Sequence, residues 1–263
     1  MSDAPIGIFD SGVGGLSVLR HIQEELPYEN LLYVADSAHA PYGGKAPQEI
    51  QARSIALTEF LVGQGAKAIV VACNTATAAA IGVLREQFGV PVIGMEPAVK
   101  PAVTATRSGI VGVLATTGTL KSAQFAALLE SYGKSVRVVT QGCPGLVECV
   151  ERGELDTSET RKLLLHYIEP LLAEGADTLV LGCTHYPFLK PLLEEHTAGK
   201  VALIDTGAAV ARQVRRRIEE AGLAAAGHAP GLVKFWTSGN VAQGRKVMGA
   251  LWGAATVEPL PPT

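Results

Sequence analysis

Two cysteines stand at matched places in this chain of 263 residues. Cys73 ends the run Ala68-Ile69-Val70-Val71-Ala72 and is followed by Asn74-Thr75, while Cys183 ends Thr178-Leu179-Val180-Leu181-Gly182 and is followed by Thr184-His185. A short apolar run that stops at small polar residues reads as a buried parallel strand, and α/β sheets bind ligands just past the carboxyl ends of such strands. A helix following each cysteine would offer N-terminal N–H groups that hold a carboxylate or favour a thiolate. A single free cysteine is usually a small buried hydrophobe, and Cys143 and Cys149 are read that way. Two thiols in matched settings supply what one cannot, a base on each face of a planar carbanion, which is what racemisation needs. The competing chemistry is a lone nucleophile, Cys183 with His185 as its base. His185 has no echo after Cys73, and neither a Ser-His-Asp arrangement nor HExxH is visible.

A second cluster, Ile6-Gly7-Ile8-Phe9-Asp10-Ser11-Gly12-Val13-Gly14-Gly15-Leu16-Ser17, reads as a strand running through a glycine-rich turn into a helix. It resembles a phosphate loop only superficially, because it lacks the Lys-Ser/Thr ending, its glycines are not spaced GxGxxG, and Asp10 would repel a phosphate. A carboxylate there suits an ammonium group or a neighbouring thiol, while Ser11 and the turn amides suit a carboxylate; the plain alternative is that Asp10 caps the helix. Lys45 and Lys100 raise the thought of a Schiff base, but neither sits in a recognisable pyridoxal context, and both are read as surface lysines.

These residues need a frame that brings them together. Strands are expected over 6–9, 31–35, 68–72, 92–94, 110–115, 135–139, 178–182 and 201–204, and helices over 46–64, 75–88, 121–132, 158–174 and 208–221. The alternation predicts an α/β fold with parallel sheets flanked by helices. The segment from Gly65 to Thr75 echoes the segment from Gly175 to His185 at an offset of 110 residues, and Ile6–Ser11 echoes Val111–Thr116 at an offset of 105. The same order of elements occurs twice, so two similar lobes are expected. Only the Pro-rich tail, 258–263, reads as unstructured.

Composition narrows the function. With 48% apolar residues the chain can bury a sizeable core, and 22 Lys plus Arg against 25 Asp plus Glu leave no basic field for nucleic acid or anionic lipid. The apolar runs are too short to span a bilayer and the first twenty residues do not read as a signal peptide, so a cytoplasmic protein with a small-molecule partner is expected. Four cysteines without CxxC spacing argue for reduced thiols rather than disulfides or structural zinc.

Taken together, Asp10-Ser11-Gly12-Val13-Gly14-Gly15-Leu16, Asp36-Ser37 with Pro41-Tyr42-Gly43, Ala72-Cys73-Asn74-Thr75-Ala76 and Gly182-Cys183-Thr184-His185-Tyr186-Pro187 resemble the motifs of the glutamate racemase family, in order and spacing from Ile6 to Asp205. The resemblance implies two pseudo-symmetric α/β domains, the second inserted in the first: 1–97 with 208–263, and 98–207, with the active site in the cleft between them. It implies cofactor-independent, metal-free interconversion of L- and D-glutamate, supplying D-glutamate for peptidoglycan. Cys73 and Cys183 would be the acid/bases, assisted by Asp10, His185 and Glu151. Ser11, Tyr42, Gly43, Asn74, Thr75, Thr116, Thr119 and Thr184 would hold the amino acid together with Asp10 and His185. A homodimer is implied as well and, because some members are associated with inhibition of DNA gyrase, an interaction with that enzyme. Two departures stand out: the family commonly has Pro where Glu148 stands and Tyr where Gln124 or Phe125 stands. An aspartate racemase with the same paired cysteines is the nearest alternative. A two-lobed binding or regulatory protein is the alternative from another class, and it would have no use for both thiols.

Overall fold

The computed structural model describes residues 2–227 and 229–262. Its strands are β1 (Ile6–Asp10), β2 (Leu31–Ala35), β3 (Ala68–Val71), β4 (Val92–Ile93), β5 (Ile110–Ala115), β6 (Arg137–Gly142), β7 (Thr178–Leu181), β8 (Ala202–Ile204), β9 (Val233–Thr237) and β10 (Val257–Pro259). They form one sheet in the order β10-β9-β2-β1-β3-β4 and another in the order β6-β5-β7-β8. Every pairing is parallel. Strands β1, β2, β3 and β7 are buried on both faces, which is why they read as continuous apolar runs.

The sequence echo is a repeat of packing. The order β2-β1-β3-β4 maps onto β6-β5-β7-β8, and the register matches too, with Gly7 opposite Ile69 and Gly112 opposite Leu179. A β-carbon on Gly7 would lie 3.0 Å from both Ile69 and Leu61, and one on Gly112 would lie 2.6 Å from Leu179 and 3.0 Å from Leu171. Leu61 and Leu171 project from equivalent helices, Pro47–Gly63 and Ser158–Ala173, onto the central strand of each sheet. Glycine there lets helix and strand close on each other, and each fully buried leucine contributes about 2 kcal/mol relative to exposure.

Helices Pro47–Gly63 and Asn74–Gln87 cover one face of the larger sheet through Leu57, Leu61 and Ala80, while Leu16–Glu25, Gly207–Glu220 and Val241–Leu251 cover the other through Leu19, Val214 and Met248. One apolar cluster runs from this second face through Leu146, Val150, Leu181 and Leu193 of the smaller sheet's layer, so a shared core joins the two layers beneath the site. Among the described residues no helix is long and apolar enough to cross a membrane.

Three expectations change. The end of the chain is not a loose tail: Val257–Pro259 pairs with β9, and Leu260 N–H donates to Thr237 O at 2.8 Å. Pro259 is tolerated because β10 is an edge strand; only Thr263 of that tail lies outside the described residues. β9, unforeseen, inserts between β2 and β10. β6 begins at Arg137 rather than 135, because residues 133–135 form a 3-10 turn.

Candidate active site

β1 ends at Asp10, whose carboxylate is fully buried and builds the turn that follows. Its Oδ2 accepts the N–H of Gly15 at 2.7 Å and the hydroxyl of Thr184 at 3.4 Å, and its Oδ1 accepts the hydroxyl of Ser11 at 3.3 Å. Thr184 comes from the other sheet, so Asp10 both organises the turn before helix Leu16–Glu25 and reaches across the cleft. The turn needs glycines because side chains of the second lobe seat on it. A β-carbon on Gly12 would fall 1.9 Å from Glu151 Oε1, and one on Gly14 would fall 2.3 Å from His185 Nδ1.

Those two side chains form a relay. Nε2 of His185 lies 2.6 Å from Glu151 Oε1 and Nδ1 lies 3.6 Å from Cys183 Sγ. Glu151, at the end of helix Leu146–Glu151, also accepts the N–H of Val13 at 2.6 Å and the hydroxyl of Ser37 at 3.1 Å, both from the first lobe. Burial opposes charge on His185, but its hydrogen bonds to Cys183 and Glu151 prevail and hold its proton well above the usual histidine range. A protonated ring donates on both sides, to Glu151 and to Cys183.

Cys73 has a different setting. It caps helix Asn74–Gln87, with Sγ accepting the N–H of Ala76 at 3.4 Å and lying 3.8 Å from Ser11 Oγ. Burial, reinforced by the charge of Asp10, pushes its thiol well above the usual cysteine range, so it rests protonated. Burial likewise raises the Asp10 carboxyl, against the opposing pull of His185. The expected symmetry is broken after Cys183, where a 3-10 turn, Tyr186–Leu189, precedes helix Lys190–Thr197. Pro187, in the first turn after Cys183, brings no N–H, and the neighbour Cys183 meets is His185 rather than a helix N-terminus.

Both cysteines line one small, nearly closed cavity with Ser11, Tyr42, Gly43, Asn74, Thr75, Thr116, Thr184 and His185. On its polar wall Thr75 and Thr116 lie 2.9 Å apart, and Thr119 behind them lies 3.2 Å from Thr75 and 3.0 Å from Thr116, so three hydroxyls are in mutual contact. Asn74 is 5% exposed, yet neither its amide nitrogen nor its amide oxygen has a hydrogen-bond partner among the described residues. A buried amide without partners costs stability unless a ligand satisfies it, so Asn74 offers one donor group and one acceptor to an occupant.

Every residue expected from the sequence comes to this place, though not all on the wall. Asp10, Thr119 and Glu151 stand behind it, bonded to residues that line it. Val147 lines the cavity and was not foreseen, and Val13 and Ser37 meet Glu151 through contacts that no local pattern signals. Glu148 faces a larger outer groove that shares Pro41, Gly43, Thr75, Thr116 and Val147 with the cavity. Gln124 lines a separate pocket and Phe125 is buried in the second lobe's core, so the two departures in sequence lie outside the cavity wall.

The Asp/Glu/hydantoin racemase model matches residues 6–214. The glutamate racemase of Ectopseudomonas mendocina is 60% identical over 253 residues, covering 96% of this chain and 96% of that protein. Glutamate racemase isoform RacE1 from Bacillus anthracis has a structure that superposes with a TM-score of 0.89 at 32% identity, covering 99% of this chain and 98% of that one. The structure of Escherichia coli glutamate racemase in complex with L-glutamate and the activator UDP-MurNAc-Ala superposes with a TM-score of 0.86 at 33% identity over 98% of both chains.

Proposed function

The chain belongs to the Asp/Glu/hydantoin racemase family, and from that premise we propose that it interconverts L- and D-glutamate by two-base proton transfer between Cys73 and Cys183. The activity is that of a glutamate racemase, an amino-acid isomerase. The observation that carries the two-base reading is that two equivalent strand ends, one from each sheet, deliver their thiols to a single small cavity.

The α-proton of an amino-acid zwitterion is a weak acid, so the site must both provide a base and stabilise the carbanion. One cysteine, as thiolate, takes the α-proton while the other, as thiol, delivers a proton to the opposite face; the reverse reaction exchanges the roles. Asp10 stands with Cys73 and His185 with Cys183, so each thiol has its own assistant. His185, held protonated by Glu151, donates to Cys183 when that sulfur carries charge. Asn74, Ser11, Thr75, Thr116 and Thr184 hold the substrate's carboxylates and ammonium, with the backbone at Tyr42 and Gly43 closing one edge. Nothing in this chemistry calls for pyridoxal phosphate or a metal.

Incubating the protein with pure L-glutamate, without added cofactor, tests the reading: the circular dichroism of the amino acid should decay to zero as the racemate forms. A persistent signal would sink it. We place the product, D-glutamate, in peptidoglycan synthesis. From the resemblance alone we extend the reading to division into domains at 1–97 with 208–263 and 98–207, a cytoplasmic homodimer and an association with DNA gyrase. Sedimentation and a supercoiling assay test the last two.

A further inference from the structure

The Tyr42–Gly43 edge of the cavity is held from behind by a buried carboxylate that the proposed chemistry does not use. Asp36 follows β2 and is fully buried. Its Oδ2 accepts the Tyr42 hydroxyl at 2.6 Å and Arg53 Nε at 3.0 Å, and its Oδ1 accepts Arg53 Nη2 at 2.9 Å and lies 3.0 Å from His39 Nδ1. The turn of residues 37–44 is thus wrapped around one carboxylate, and the guanidinium meets that carboxylate in a two-pronged fork. Arg53 projects from helix Pro47–Gly63 and lines neither the cavity nor the outer groove. On its far side the turn has no slack: a β-carbon on Gly43 would lie 2.7 Å from Thr116.

Taking the cavity as the glutamate site, we propose that Arg53 is a positioning residue: through Asp36 it fixes the Tyr42–Gly43 edge and so sets the affinity for glutamate without touching it. Burial alone would raise the Asp36 carboxyl, but the bonds from Arg53 and Tyr42 prevail and keep it below the usual carboxylate range. The groups facing it are His39 and Tyr42 from its own turn, Arg53 from the helix and the Ser238 hydroxyl from the segment after β9; Cys73 bears on the Tyr42 phenol. Removing the guanidinium leaves a buried carboxylate without its counter-charge, which gathers a proton as pH falls and surrenders one of the acceptor sites that shape the turn.

The test is KM and kcat for both glutamate enantiomers from pH 6 to 9 in the full-length protein and its Arg53→Gln, Arg53→Lys and Asp36→Asn/Arg53→Gln variants. Arg53→Gln should raise KM about tenfold, the scale of one lost charge-assisted hydrogen bond, with kcat changed less than about threefold, and the KM penalty should grow toward low pH. Arg53→Lys keeps the charge without the fork and should flatten the pH trend while recovering part of KM. The double variant, with no buried charge, should fold and show a raised KM that does not vary with pH. A His39→Gln background must leave the trend of Arg53→Gln in place. Wild-type KM in Arg53→Gln, or in the double variant should the single one not fold, overturns the proposal, as does a fall in kcat at unchanged KM or a trend that disappears with His39. Wild-type protein that fails to racemise glutamate would instead sink the functional reading itself.

Discussion

Glu151 occupies the space that a side chain on Gly12 would need: a β-carbon there would stand 1.9 Å from the Glu151 carboxylate oxygen and 2.5 Å from its carboxyl carbon. The glycine-rich turn of the first lobe is therefore a seat for the second lobe's His–Glu relay rather than a cradle for phosphate. Gly12→Ala must push Glu151 off Val13 N–H and His185 together. Overpacking of this kind costs about 1–3 kcal/mol of stability. Racemisation should fall about 100-fold, the scale of a misplaced catalytic group. Gly44→Ala, two residues from the cavity wall's Tyr42 but with nothing within 4 Å of its β-carbon, should leave both properties unchanged. Equal losses in the two variants, measured by thermal melts and racemisation rates, would remove the seat from the account.

The relay also predicts how stability depends on pH. His185 keeps its proton in the folded protein well above the usual histidine range, whereas in the unfolded chain it titrates near pH 6.5. Its contribution is complete below about pH 6.5 and is lost as pH rises toward the folded value, because in that window only the folded state binds the proton. The melting temperature should therefore decline from pH 6.5 to 7.5, below the range in which an unfolded chain's thiols ionise. Glu151→Gln, which removes the charge that helps hold the proton, lowers the folded value and so should make that decline smaller and end it at lower pH, and His185→Asn should flatten it. A melting temperature that rises with pH across this range would contradict the protonated relay.

What the sequence made legible follows from locality. Cys73, Cys183 and their strands could be read because a parallel strand buried on both faces is a continuous apolar run and its active residues sit at its end. The Gly7 and Gly112 echo survived because helix and strand meet at the same distance in both lobes. β9 was opaque: Val233-Lys234-Phe235-Trp236-Thr237 puts a lysine inside the run, and its partner β2 lies some two hundred residues earlier. Glu151 could be named only through the resemblance, since its meaning resides in Val13, Ser37 and His185, which reach it from three separate segments. Asp36 appeared only as part of a motif, its role depending on an arginine one helix away.

Substrate size gives a further expectation. The cavity is small, and the chain's relatives named for glutamate resemble it over nearly its whole length. Aspartate, one methylene shorter, should bind without filling the site, and one methylene separates substrates by about ten- to 200-fold in kcat/KM. Measuring kcat/KM for both amino acids decides it. A higher value for aspartate would reassign the substrate while leaving the two thiols in place.

The two-base division is tested most directly by taking one base away at a time. Cys73 and Cys183 are both nearly buried, and serine is close to cysteine in size, so Cys73→Ser and Cys183→Ser should stay folded. Each should lose nearly all racemisation, because a serine hydroxyl is far too weak a base to accept the α-proton. Elimination makes a smaller demand. With a β-chloro analogue of glutamate, one base removes the α-proton, chloride leaves with the bond pair, and no second proton is delivered. A variant with one thiol can therefore still process the enantiomer whose α-proton faces that thiol. If Cys73 deprotonates D-glutamate and Cys183 L-glutamate, as the resemblance to glutamate racemases implies, Cys73→Ser should eliminate from the L-analogue and Cys183→Ser from the D-analogue. The Asp10 and His185 settings add a second expectation: His185→Asn should slow elimination from the L-analogue, which starts at Cys183, more than elimination from the D-analogue, which starts at Cys73. Were both serine variants to prefer the same enantiomer, or to racemise near the wild-type rate, the thiols would be buried packing residues and the cavity would need another source of base.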